Sequence, residues 1–211
     1  MPTIEEINKD SGQGLGFDFP ATWQAVKYDQ QEDAATNEPA GFYRRVIQSE
    51  GVKHIRGMDI VCRLPDETPR LQLIEIKDDR KRQANKAPGD RHTELYETVL
   101  SKTMGTLAGL TLAERLGDDS LRPMACLSRL PQLEVVLFLV EAVPVPVPNV
   151  GSRRALRRLT KLESKSTLDQ RLTAKLYQWG IPFSLYNLTN RPPHPWQVRD
   201  LVPPSTPVLS A

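Results

Sequence analysis

The stretch "LQLIEIKDDR", residues 71–80, sets a carboxylate and an ammonium, Glu75 and Lys77, into a run otherwise suited to the inside of a sheet. Charges in an apolar setting are costly unless they are paired or bind a metal. This run constrains the fold most because it has a matching partner. "VKHIRGMDIVCRL", 52–64, is also rich in β-branched residues, and "PDETP" between the two is a turn signal. Two strands joined this way form an antiparallel hairpin. Side chains alternate along a strand, so Glu75 and Lys77 point the same way, with Leu71 and Leu73 behind them. Asp59, in "GMDIVC", is again a charge in an apolar strand, and pairing around the turn brings it to the same end of the hairpin as Glu75.

The remaining elements are arranged around this hairpin. Residues 1–16, with "SGQGLG", read as a flexible lead-in. "TWQAVKYD", 22–29, reads as a strand, and Asn37 as the cap of a short helix through "FYRRVIQSE" ending at Gly51. Residues 90–117 give the strongest helix, capped by Asp90 or Thr93, with a stripe of Leu95, Val99, Leu107, Leu110 and Ala113 and a terminating Gly117. "LEVVLFLVEA", 133–142, is a buried central strand. "VPVPVP" is an edge or an extended connector, because alternate prolines remove ladder donors. "GSRRALRRLTKLE" and "TLDQRLTAKLYQWG" read as two helices separated by a capping box of Ser166 and Asp169. "IPFSLYNLT" is a last strand, followed by an irregular proline-rich tail, 191–211. The expected fold is α/β around one central sheet flanked by helices. Its parts are a core over 17–142, a basic helical extension over 143–190 and the tail.

Bulk composition narrows the function. A net charge of +2 gives no whole-molecule field, so any nucleic-acid surface must be local. The start "MPTIEEINKD" lacks the pattern of a signal peptide, and "VVLFLV" falls short of the about 20 residues that span a bilayer. A soluble, cytoplasmic protein with no membrane partner is expected. Cys62 and Cys126 both lie beside apolar residues and read as buried free thiols. His54, His92 and His194 share no metal-ligand spacing. Ser and Cys nucleophile motifs and phosphate-cradling loops are absent.

Two carboxylates and one ammonium on one patch suggest a chemistry. Asp59 and Glu75 suit Mg²⁺, with Mn²⁺ as a substitute, and the backbone carbonyl of Ile76 between Glu75 and Lys77 is a further candidate ligand. Such an ion stabilises charge at a phosphodiester and activates water, while Lys77 orients that water or neutralises developing charge.

The pattern "GMDIV…LQLIEIK", followed by the helix at 93–116 and the strand at 133–142, resembles the PD-(D/E)xK nuclease superfamily, whose fold is restriction-endonuclease-like. The resemblance covers roughly residues 20–142. Met58 stands where the family's name has proline. The resemblance implies that Asp59 and Glu75 are metal ligands and Lys77 the catalytic lysine. It also implies an additional acidic residue, for which Asp29, Glu38 and Glu50 are candidates, Asp29 being favoured. A polar residue on the following helix would be Glu97 or Lys102.

Basic segments supply the expected nucleic-acid contacts. Arg80, Lys81 and Arg82 follow the Glu-x-Lys strand, with Lys86 beyond them. Arg153, Arg154, Arg157, Arg158 and Lys161 cluster on one side of a helix, and such a face grips phosphates without reading sequence. The early aromatics Phe17, Phe19, Trp23, Tyr28, Phe42 and Tyr43 read as core packing, with base stacking as the alternative. The expectation is a Mg²⁺-dependent nuclease acting on DNA, with RNA an open alternative, in repair, recombination or defence against mobile DNA. It would work as a homodimer or as a subunit of a larger system. The rival expectation is a non-catalytic nucleic-acid-binding or scaffold subunit using the same fold.

Overall fold

Side-chain alternation sorts the chain into three layers in a computed structural model of its 211 residues. The structure describes residues 1–7, 13–31, 40–48, 54–65, 70–80, 88–125, 127, 131–141, 153–190 and 196–201, with side chains from 92 onward in the first helix and from 165 onward in the second.

The middle layer is a mixed five-stranded sheet in the order β3-β4-β5-β6-β7, formed by Gln24–Lys27, Ile60–Leu64, Arg70–Asp79, Gln132–Glu141 and Phe183–Tyr186. The expected hairpin is present: β4 and β5 pair antiparallel, with Ile60 opposite Ile74 and Val61 opposite Leu73. β5 and β6 then run parallel, and so do β6 and β7. Alternation gives each strand two buried faces. Val61, Leu71, Leu73, Val135, Leu137 and Leu139 face one core, while Ile60, Ile74, Ile76, Val136, Phe138 and Val140 face the other. A sheet buried on both faces explains the nearly continuous apolar reading of β5 and β6.

Two long helices cover the first face. α1, Pro88–Leu116, buries Leu95, Val99, Leu110 and Ala113, and Gly117 follows it at φ +66°. α2, Arg153–Tyr177, is one helix where two were expected, and Ser166 lies in its interior. No glycine or proline interrupts that span, and serine costs only a fraction of a kcal/mol inside a helix (about 0.5). Leu168, Leu172 and Leu176, spaced by four, hold α2 in this core.

The second face is covered by a small antiparallel sheet in the order β1-β2-β8, from Thr3–Ile7, Gly14–Asp18 and Gln197–Leu201. This departs from the expected flexible lead-in and irregular tail. β2 runs between the chain's two ends, so each end orders the other. Leu15, Phe17, Phe19, Trp23, Trp196 and Val198 bury against the central sheet, and Trp196 Nε1 donates to Gln72 Oε1 at 3.1 Å. All six early aromatics are buried, as core packing requires.

The strand expected from Val52 is shorter: β4 starts at Ile60, and residues 55–58 run outside any strand. They are pinned instead by Tyr43 Oη, which donates to the Ile55 carbonyl at 2.6 Å, and by Met58 N, which donates to Thr106 Oγ1 of α1 at 2.8 Å. Tyr43 belongs to a single π-helical turn, Tyr43–Ile47, where a short helix was expected. Its proposed cap Asn37, its end Gly51, and the "VPVPVP" connector lie outside the described residues.

Candidate active site

β5 overhangs β4. Their ladder ends at Ile60 opposite Ile74, so residues 75–79 of β5 have no β4 partner on that side. The next register step puts Asp59 opposite Glu75, and alternation turns both toward the helix layer. Asp59 is fixed from three directions. Its N–H donates to the Ile74 carbonyl at 3.1 Å, and its carbonyl accepts from Tyr28 N at 2.8 Å. Its Oδ2 accepts from Ile76 N at 2.6 Å, replacing a strand partner for that N–H.

Glu75 is fully buried. Lys77 Nζ lies 2.6 Å from its Oε1, and Lys77 stays about one-third exposed (32%). Glu75 and Lys77 thus share a face and meet there. The fourth participant comes from α1. Lys102 Nζ sits between the strands, 2.7 Å from Asp59 Oδ1 and 2.6 Å from Glu75 Oε2. Of the two helix residues considered, Lys102 reaches the patch, while Glu97 is exposed. The signal was available: Lys102 lies three residues after Val99 and four before Thr106 on the buried stripe of α1. A lysine there must find a carboxylate or leave the core.

Asp29, just after β3, belongs to the same group. Its Oδ1 is buried without a hydrogen-bond partner, and Arg44 Nη2 stands 4.0 Å from its Oδ2. Burial, together with the Asp59 charge, raises the Asp29 carboxyl from 3.8 to about 6. Burial and the same Asp59 charge raise Glu75 from 4.5 to about 7, against the opposing pull of Lys102 and Lys77. For Lys102 burial favours the neutral amine, yet the Glu75 and Asp59 carboxylates outweigh it and hold its pKa above the usual lysine value. Glu38 and Glu50 lie outside the described residues.

The raised carboxyls have a measurable consequence. Between pH 4.5 and about 7 the folded protein holds a proton on Glu75 that the unfolded chain has released. The unfolded state therefore binds fewer protons in that window, and stability falls as pH rises through it. Asp29 adds a fall of the same sign between 3.8 and about 6. In EDTA, urea midpoints of the wild type should drop from about pH 5 to pH 8, and Glu75→Gln should flatten the upper part of that slope. A wild-type midpoint that climbs over this range would contradict the burial argument.

The other expected site residues divide. Arg80 is tied into the fold: it holds Asp78 at 2.5 Å and reaches Asp200 of β8 at 2.6 Å, linking the end of β5 to the small sheet. Its guanidinium is committed to carboxylates, so it does not present a free phosphate-binding group. Arg80→Ala is therefore expected to lower stability by about 2 kcal/mol, measured by chemical denaturation. Burial opposes ionisation of Asp78, but the Arg80 hydrogen bonds prevail and keep its carboxyl below the ordinary range. Asp79 is buried. Lys81, Arg82 and Lys86 lie outside the described residues. Arg153, Arg154, Arg157, Arg158 and Lys161 do fall in the first half of α2, and their side chains lie outside the description. His92 is buried, His54 is exposed, and His194 is outside the described residues. Cys62 is a buried free thiol, and Cys126 is outside the described residues.

The donor chemistry suits a hard divalent cation: three carboxylates, one with a buried oxygen that lacks a partner. The spacing is that of a lysine-filled site. Among the described residues no three Asp, Glu, His or Cys side chains stand ready to hold a metal ion. No described helix is long and apolar enough to cross a membrane. No protein-family model, curated protein or solved structure matches this chain.

Proposed function

We propose that this chain is a metal-dependent nuclease with a restriction-endonuclease-like core of the PD-(D/E)xK type, hydrolysing phosphodiester bonds of DNA. One observation carries the reading. Asp59, the residue just before β4, and Glu75 of β5 both meet the Lys102 ammonium, with Lys77 against Glu75. This is a costly arrangement to maintain in a core, and it brings together acidic and basic groups, which supports a phosphodiester chemistry that needs both.

Asp59, Glu75 and Asp29 would hold Mg²⁺ or Mn²⁺, with the Ile76 carbonyl as the backbone candidate. The ion supplies Lewis-acid stabilisation of phosphoryl charge and lowers the pKa of water. The protein's own groups do the rest. Ile76 N–H fixes the Asp59 carboxylate, so its position does not depend on a ligand. Lys77, the more exposed of the two lysines, is the one able to meet the attacking water or a scissile phosphate oxygen. The basic first half of α2 would hold backbone phosphates. Repair, recombination and defence against mobile DNA are the processes that this chemistry suits, acting as a homodimer or within a larger assembly.

A second reading has one observation in its favour. Lys102 already lies between the carboxylates, as it would in a non-catalytic nucleic-acid-binding or scaffold subunit that had traded a metal for an internal ion pair. The two readings separate in one experiment. Labelled linear, supercoiled, single-stranded and branched DNA, and RNA, are incubated with the protein in Mg²⁺ or Mn²⁺. Cleavage that EDTA abolishes is expected, on DNA above RNA. Folded protein that binds DNA and cuts nothing in either metal would favour the scaffold.

A further inference from the structure

Lys102 is the one participant that the nuclease reading leaves without a role. Its ammonium touches one oxygen of each carboxylate, at 2.7 and 2.6 Å, while its stem comes from a different layer of the fold. Those two oxygens belong to the residues proposed to hold the metal, so ammonium and metal compete for them. We propose that Lys102 is a displaceable counter-cation that keeps the carboxylates assembled in the metal-free protein and withdraws when a divalent cation enters. The inference rests on the nuclease reading and adds to it how the site is kept and filled.

Four features argue for displacement over a fixed ion pair. Lys102 and Lys77 neutralise Glu75 from opposite oxygens, so removing Lys102 leaves that carboxylate still paired. Asp59 keeps its Ile76 N–H hydrogen bond without Lys102, so its geometry survives the exchange. Lysine sits on a flexible four-carbon stem, so a rotamer change can withdraw it without moving α1. Lys102 retains a little solvent access, 12%, whereas Glu75 has none, which gives the ammonium a route out. In the metal-free protein the lysine-filled arrangement dominates. Only the lysine-withdrawn fraction binds metal, and apparent affinity is reduced by that fraction.

The test is Mn²⁺ binding, followed by calorimetry and by loss of the free-ion EPR signal, near pH 8, for wild type, Lys102→Met and Lys102→Gln. Both variants should bind Mn²⁺ more tightly than wild type, by about tenfold or more. Without metal they should melt below wild type, and Mn²⁺ should raise their melting temperature more than it raises that of wild type. Adding Asp59→Asn to Lys102→Gln should remove the gain, which locates it at this site. If a variant folds poorly without metal, its refolding in Mn²⁺ is the predicted rescue, and failure to refold counts against the proposal. Equal or weaker Mn²⁺ binding by folded Lys102 variants overturns the displacement while leaving the metal site standing. Absence of Mn²⁺ binding in all the folded proteins overturns the displacement and the proposed nuclease together.

Discussion

Asp59→Ala is expected to abolish metal-dependent cleavage, with a loss of about a thousandfold or more in kcat, and to weaken the fold at the same time. Both effects follow from the same carboxylate. One oxygen accepts from Ile76 N and the other from Lys102 Nζ. Truncation leaves a strand N–H unpaired where β4 has already ended, and it leaves Lys102 with Glu75 alone. Removing one partner of a buried hydrogen-bonded pair costs about 2–4 kcal/mol. Relief of repulsion between Asp59 and Glu75 offsets a part of it. Lys77→Ala provides the contrast. Its side chain is about one-third exposed (32%) and, among the described residues, makes an ion pair with Glu75 alone, so it should lose cleavage by a comparable factor with little change in stability. The measurements are single-turnover cleavage and urea denaturation on both variants. An Asp59→Ala protein as stable as wild type would mean that the carboxylate does not hold the strand. Cleavage that survives both substitutions would place the activity elsewhere.

Gly105→Ala should be strongly destabilising, against the direction helix propensity gives. Alanine is better than glycine in a helix interior by about 1 kcal/mol, and Gly105 lies well inside α1. Here the helix is pressed against another backbone. A Cβ on Gly105 would lie 2.1 Å from the Arg56 carbonyl oxygen and 3.0 Å from Ile55 Cγ2. The first of these is main chain in the segment pinned by Tyr43 and Thr106, so it cannot swing aside. Relief requires α1 to retreat. That would stretch the Met58 to Thr106 hydrogen bond and pull Lys102, one turn earlier, from between Asp59 and Glu75. Overpacking of this kind costs about 1–3 kcal/mol and sometimes more, and here it outweighs the propensity gain. The urea midpoint should fall while the slope of the transition stays constant. A stabilised variant would show that α1 does not approach residues 55–58 this closely.

Much of the site was legible because strand geometry is local. The period-two alternation of β5 decides that Glu75 and Lys77 share a face. The hairpin register, set by the short turn, then decides that Asp59 stands opposite Glu75. The early aromatics were readable as core for the same reason, since large apolar side chains near strands have few other places to go. Lys102 was half legible. The family resemblance offered it together with Glu97, but nothing along one helix says which carboxylates wait across the interface. Arg80 could not be read at all. Its sequence neighbours make it part of a basic loop, and only β8, 120 residues away, brings Asp200 to it.

The sequence by itself determined the hairpin, the long helix after it, the buried strand β6 and the shared face of Asp59, Glu75 and Lys77. Each follows from a repeat or a turn within a few residues. The tertiary structure alone decided three other matters. It ordered the two chain ends into one sheet, since "GLGFD" has little strand propensity of its own and gains its order from β1 and β8 on either side. It fused two expected helices into α2, since packing of Leu168, Leu172 and Leu176 outweighs a weak internal cap signal. It also set Lys102 between two carboxylates. The charge state and ligand capacity of those groups depend on which distant ammonium reaches them, and that depends on how the layers pack.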